Sequence, residues 1–135
     1  MVRTITVRTP GRGLHLITRE VAELVRESGL AEGLCTLFIR HTSASLLIQE
    51  NADPAVRVDL AAWMEKLAPE NDPGYTHTEE GPDDMPSHLR CAVTNTSLSI
   101  PIVGGVLALG RWQGIYLWEH RRAPHRRELV VHVGP

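Results

Sequence analysis

From Ser97 onward the chain is a succession of short apolar runs broken by turn residues, and this commits it to a β-rich fold. In "SLSIPIV" (97–103), Leu98, Ile100 and Ile102 recur every second residue, which places them on one face of a strand. Gly104-Gly105 follows, a dipeptide suited to a two-residue hairpin. "VLALG" continues the pattern and "GRWQG" (110–114) turns the chain. "IYLWEH" (115–120) and "ELVVHV" (128–133) are two further strands, joined by a basic loop, "RRAPHRR" (121–127).

The first half alternates the same signals with helical ones. "VRTITVR" (2–8) has strand periodicity, "TPGRG" (9–13) is a turn, and "LHLI" predicts a short strand. Thr18 is placed to cap a helix with Val21, Leu24 and Val25 on one face and Gly29 as its stop. "LCTLFIRH" (34–41) is nearly continuous in apolar character and predicts a central strand, with "SASLLIQE" (43–50) as its neighbour. Asp53 and Pro54 are a helix N-cap and a first helical residue. Val56, Leu60, Trp63, Met64 and Leu67 then form one apolar stripe expected to face a sheet, and "APENDPG" (68–74) ends the helix. The expected architecture is α+β: one compact domain over residues 1–135, a mostly antiparallel sheet system with two helices.

The composition narrows the class of function. Hydrophobic residues are 42% and charged residues 22%, enough apolar material for a core without staples. A net charge of −2 provides no basic field, so nucleic acid is not an expected partner. No apolar run is long enough to span a bilayer, and the first residues alternate instead of forming an apolar signal core. No membrane partner and a cytoplasmic location are therefore expected, with Cys35 and Cys91 as buried, inert thiols. Walker-type loops, GxGxxG, GxSxG, HExxH and CxxC are all missing.

Five clusters hold side chains capable of chemistry. "RHTSAS" (40–45) ends a buried strand with His41, Thr42, Ser43 and Ser45. "QENADP" (49–54) holds Asn51, which precedes the helix cap and can point toward a pocket. "YTHTEEGPDDMPSHLR" (75–90) reads as a long loop, since Gly81-Pro82 and Met85-Pro86 break regular structure. It carries His77 and His88 with four carboxylates between them, and its prolines stiffen it as they would a segment that aims side chains. His41, His77 and His88 are expected to converge on one point as ligands of a divalent metal such as Zn²⁺. Asp83 and Asp84 are the alternative, an oxygen site for Mg²⁺. "GRWQG" presents Arg111, Trp112 and Gln113. "WEHRRAPHRR" (118–127) sets Glu119 and His120 beside a cationic patch suited to phosphate or to plain solvation, and adjacent strand residues should send only one of that pair into a given pocket.

Taken together, "HTSASLLIQENADPAVRVDL", "YTHTEEGPDDMPSHLR", "TSLSIPIVGG" and "GRWQGIYLWEHR" closely resemble the YjbQ-like family, also called the secondary thiamine-phosphate synthase enzyme family. The resemblance runs from the first strand to the last. It implies a compact α+β fold, a homotrimer, and a pocket of histidines and carboxylates near a subunit boundary. It also implies a weak thiamine-phosphate synthase activity, in which a pyrimidine methyl diphosphate joins a thiazole phosphate and pyrophosphate leaves. On that resemblance His41, His77, His88, Asp84 and Glu119 are the expected catalytic groups. Asp83, Arg90, Ser43, Asn51 and Gln113 are expected to bind a small phosphorylated metabolite or its metal. Hydrolysis of a phosphorylated metabolite, or metal and ligand binding without turnover, are the alternatives the same residues allow.

Overall fold

In a computed structural model, residues Met1–Pro135 form eight strands and three helices. They run β1 (Val2–Thr9), β2 (Gly13–Leu16), α1 (Thr18–Ser28), β3 (Glu32–Ile39), β4 (Ala44–Glu50), α2 (Pro54–Leu67), α3 (Asp84–Ala92), β5 (Ser97–Val103), β6 (Val106–Leu107), β7 (Gln113–Glu119) and β8 (His125–Gly134). One sheet has the order β1-β8-β3-β5-β6 and the other β2-β7-β4, with every pairing antiparallel. The two sheets enclose a core of alternate residues, among them Cys35, Leu37 and Ile39 of β3, Ile115 and Leu117 of β7, and Leu129, Val131 and Val133 of β8. Helix α1 adds Val21 and Val25 to that core. Both thiols are free; Cys35 is buried as expected but Cys91 is only half-buried, and burial still raises each to a pKa of about 11, which suppresses thiolate chemistry.

Several local predictions meet their structural reasons here. Gly29 ends α1 in the left-handed region at φ 69°, and Gly104 and Gly105, both at positive φ, turn β5 into β6. Asp53 caps α2 by accepting from the Ala55 N–H. Thr18 is different: it is the first residue of α1, and its hydroxyl accepts from the Ile115 N–H instead of capping its own helix.

The apolar stripe of α2 faces the sheet only along one edge. Met64 is buried, while Trp63 and Leu67 are 54% and 49% exposed. Trp63 lies one residue from Met64, about 100° round the helix, so a modest roll suffices to separate them. The helix sits on the outer side of β7, where Arg57 donates to the Tyr116 hydroxyl. This makes β7 buried on both faces, with Tyr116 and Trp118 turned away from the main core.

The expected two helices are three. Residues 75–90 are irregular only as far as Asp83; from Asp84 the chain is helical. Pro86 does not prevent this, because it falls in the first turn, where a backbone N–H has no intrahelical acceptor in any case. The basic segment is also shorter as a loop than its composition suggests. β8 begins at His125, so Arg126 and Arg127 are neighbouring strand residues on opposite faces.

Candidate functional site

Helix α3 sets the geometry. Asp84 and His88 are four residues apart and share one face of it. The segment before the helix reverses at Gly81, whose φ of 99° is open to glycine but strained for other residues. The reversal returns His77 to the same face. His77 Nε2 lies 2.6 Å and His88 Nε2 3.0 Å from Asp84 Oδ2, and the candidate ligand atoms of the three residues all fall within 4.8 Å of one another. The Asp84 side chain is 3% exposed, whereas the two imidazoles are 42% and 32% exposed, so the carboxylate forms the floor and the rings the open rim. A cavity of about 230 Å³ adjoins His77, walled by Tyr75, Pro82 and Met85.

The basic segment locks this floor. Arg121 Nη1 donates to Asp84 Oδ1 at 2.6 Å and Arg121 Nε to Asp83 Oδ2 at 3.1 Å. The Arg122 N–H adds a bond to Asp83 Oδ2 at 2.9 Å. Burial, the largest single influence, pushes the Asp84 carboxyl up, but the His77 hydrogen bond and the charges of His88 and Arg121 outweigh it. Asp83 is likewise pushed up by burial and brought below its ordinary value by the Arg122 N–H and Arg121. Both are carboxylates at neutral pH.

The proton positions decide what the group can hold. His88 Nδ1 lies 2.9 Å from the Thr42 carbonyl, an acceptor only, so Nδ1 carries a proton. In a neutral ring, Nε2 then presents a lone pair to Asp84 Oδ2. Two acceptors at 3.0 Å repel unless a cation lies between them, either a second proton on the ring or a metal ion. An imidazole anchored through its far N–H to a backbone carbonyl is the usual arrangement of a ligating histidine. The donor set of two imidazoles and one carboxylate fits Zn²⁺ or a similar transition metal better than Mg²⁺, which takes oxygen ligands.

His41 does not join this group. Its Nε2 accepts from the Glu128 N–H at 2.7 Å, so that lone pair is occupied, and its other nitrogen faces Arg127 Nη1 at 3.4 Å. Burial, and then the charge of Arg127, lower its pKa. The expected convergence of three histidines is, within one chain, a convergence of two with Asp84.

Glu119 is also elsewhere. It has no exposed surface and accepts from Thr9 Oγ1 at 2.6 Å, Arg127 Nε at 2.7 Å, Arg127 Nη2 and the Arg121 N–H. Burial pushes it up, but the hydrogen bonds from Arg127 and Thr9 hold it below its ordinary value. Ser43 belongs to the same buried network, its Oγ accepting from Arg127 Nη2 at 3.0 Å. His120, adjacent to Glu119, is equally buried but pairs with Ser45 Oγ at 2.8 Å, so the two neighbours do serve separate environments.

The remaining expected residues fall outside the group for reasons of register. Ala44 pairs with Glu119 at one end of β4–β7, and Glu50 with Gln113 at the other, roughly 20 Å apart along the strands. Gln113 spends its side-chain oxygen on the Gly110 N–H, closing its own turn, and Asn51 bonds through its N–H to the Trp112 carbonyl nearby. Arg90 is on α3 but turned inward, 2% exposed, donating to the Ala68 carbonyl. Composition pointed to Arg121 and Arg127 only as members of a cationic patch. In Arg127's case the missed signal was periodicity, since it stands two residues before Leu129 on the core face.

The family model described as UPF0047 protein YjbQ-like matches residues 3–135. A UPF0047 protein of Synechocystis sp. is 54% identical over 129 residues, 96% of this chain and 88% of that protein. The UPF0047 protein YjbQ of Salmonella typhimurium is 46% identical over 132 residues, 96% and 94% of the two chains. Among solved structures, an uncharacterized conserved YjbQ/UPF0047 protein from Clostridium acetobutylicum superposes with a TM-score of 0.89 at 32% identity, covering 98% of this chain and 99% of that one. A conserved hypothetical protein from Thermus thermophilus gives 0.84 at 36% identity, with 98% and 99% covered.

Proposed function

The chain belongs to the YjbQ-like UPF0047 family, and on that premise we propose that it is a divalent-metal enzyme acting on a small phosphorylated metabolite at His77, Asp84 and His88. The observation that carries this reading is the contact between His88 Nε2 and Asp84 Oδ2, made while His88 Nδ1 is committed to the Thr42 carbonyl. Such a contact calls for either a second ring proton or a metal ion, and the exposed rim leaves room for the ion and for a ligand on it. Bound there, the ion would supply positive charge to a phosphoryl or pyrophosphate oxygen. The chain's own part is to hold Asp84 ionised through Arg121, to aim the two imidazoles, and to offer the cavity beside His77 for the remainder of the metabolite. The thiamine-phosphate synthase reaction implied by the resemblance is of this kind, since it expels pyrophosphate.

The test begins with the metal. Metal-free protein titrated with Zn²⁺ is expected to bind one ion per chain, and Asp84→Asn or His88→Ala to weaken that binding about a hundredfold or more. Equal affinity in all three proteins would remove the metal site. Turnover is then assayed with the pyrimidine diphosphate and thiazole phosphate. No thiamine phosphate at saturating substrates and metal would sink the synthase reading. Phosphate release from other phosphorylated metabolites, lost in His88→Ala, would favour hydrolysis, and stoichiometric binding without any turnover would favour a binding protein.

A homotrimer belongs to the same proposal. Its support is the apolar edge of α2, where Trp63 and Leu67 remain half exposed. Sedimentation equilibrium is expected to give three chains per particle, with Trp63→Glu shifting it toward monomer; a monomeric unaltered chain would refute this.

A further inference from the structure

Arg8 and Arg126 face each other across the first and last strands, away from the site above. They are direct partners in the β1–β8 register, so their side chains leave the same face of the sheet about 5 Å apart at Cβ. Both are exposed, and with Thr9, Pro10, Pro124 and His125 they line a cavity of about 420 Å³. The hollow is shallow and open to solvent; Pro10 just after β1 and Pro124 just before β8 line it and stiffen the backbone there.

Like charges directly opposite in a sheet destabilise it unless something neutralises them. Nothing in the chain does so here. Arg127 is turned into the core toward Glu119, Arg122 is paired with Glu70, and Glu128, two residues from Arg126 on the same face, is taken by Arg40. The side-chain hydrogen bonds and ion pairs of this region run through Arg40, Arg122 and Arg127, and none involves the Arg8 or Arg126 guanidinium. Carboxylates are not scarce: the chain has 16 against 14 basic side chains. The cavity therefore keeps two sets of planar, forked donors unpaired on adjacent strands.

We propose that this cavity is a binding site for a phosphate-type oxyanion, gripped by the forks of Arg8 and Arg126 together. Guanidinium forks match the oxygen spacing of phosphate, and two of them converging can share a tetrahedral group or the two halves of a diphosphate. The site is independent of the metal reading, since none of its lining residues belongs to the His77–Asp84–His88 group.

The full chain, freed of metal by dialysis against EDTA, is titrated calorimetrically with inorganic pyrophosphate at constant ionic strength. Saturable binding of one pyrophosphate per chain is expected. Arg8→Gln and Arg126→Gln are each expected to weaken it roughly ten- to a hundredfold. Both side chains are exposed, so the variants should fold, and Arg126→Gln should melt no lower than the unaltered chain because it removes a repulsion. The unaltered chain should gain melting temperature with pyrophosphate, and the variants should not. Asp84→Asn should bind pyrophosphate as the unaltered chain does, so failure of the metal reading leaves this result standing. No saturable binding, binding undiminished in both arginine variants, or binding lost in Asp84→Asn but kept in Arg8→Gln would each overturn the proposal.

Discussion

Replacing Arg127 with leucine is expected to lower the stability of the fold by about 3–5 kcal/mol. That is a large share of the roughly 5–15 kcal/mol that holds a domain of ordinary size together. The size follows from what remains. Glu119 has no exposed surface, and two of its four donors come from Arg127, so the substitution leaves an ionised carboxylate buried with half its partners gone. Ser43 loses its guanidinium donor as well, and with it goes the side-chain link that ties β8 to Glu119 of β7 and to the residue before β4. Urea unfolding at pH 7 measures the loss. Glu119→Leu combined with Arg127→Leu should recover much of it, because a leucine pair leaves no charge to be solvated. A single variant within about 1 kcal/mol of the unaltered chain would mean that water reaches Glu119 and that the network is not a structural clamp.

Arg127 also marks where sequence reading stops. The strands, the Gly104-Gly105 hairpin, the Gly29 stop and the α2 cap were all legible, because each depends on neighbours within a few residues. The face of Arg127 was legible too, from its step of two to Leu129 and Val131, but composition grouped it with Arg121, Arg122 and Arg126 as one basic loop. These four arginines have four different fates: a clamp on Asp83 and Asp84, an ion pair with Glu70, an unpaired cation on the open face, and a buried partner of Glu119. Beyond the strand periodicity that turns Arg127 inward, no local rule distinguishes them, since the partners of Arg121, Arg122 and Arg127 are set by the tertiary fold and Arg126 has none.

Site geometry followed the same division. Once Asp84–Ala92 is recognised as helix, the four-residue step from Asp84 to His88 places both on one face. Reading Pro86 as a breaker concealed that step. His77 and His88 could be grouped by their shared segment, whereas the exclusion of His41 rests on the Glu128 N–H, a contact across 87 residues that no pattern in the sequence displays. Asn51 and Gln113 failed for a simpler reason: the β4–β7 register, once known, carries them to the far end of the sheet.

Acid should destabilise this protein from a pH well above the range of its carboxylates, and His120 is the cause. The ring has no exposed surface, lies tilted over Trp118 with centroids 5.4 Å apart, and has one hydrogen-bonded nitrogen, at Ser45 Oγ, and one with no partner. Burial first, and then the charge of Arg90, lower its pKa to about 3. In the unfolded chain a histidine titrates near 6.5. Between those values the unfolded state binds a proton that the folded state refuses, so stability falls as pH falls, by about 1.4 kcal/mol per unit once well below 6.5. Above pH 7 both states are neutral and the contribution is complete. From pH 7 to pH 4.5 the loss from this residue is about 2.5 kcal/mol. His41, whose pKa burial also lowers, adds in the same direction. The depressed Asp83, Asp84 and Glu119 act at lower pH, where their unfolded forms take up protons before the folded ones do. His120→Gln keeps a partner for Ser45 and removes the titration. Its stability at pH 7 should be lower, because glutamine fills the site less well, but it should decline less steeply toward pH 4.5, narrowing the gap by about 2–3 kcal/mol. Urea midpoints at pH 7, 6, 5 and 4.5 for the two proteins decide the matter. Parallel profiles would show that His120 takes up its proton in the fold as readily as in the unfolded chain, and that the space beside its unpartnered nitrogen admits water.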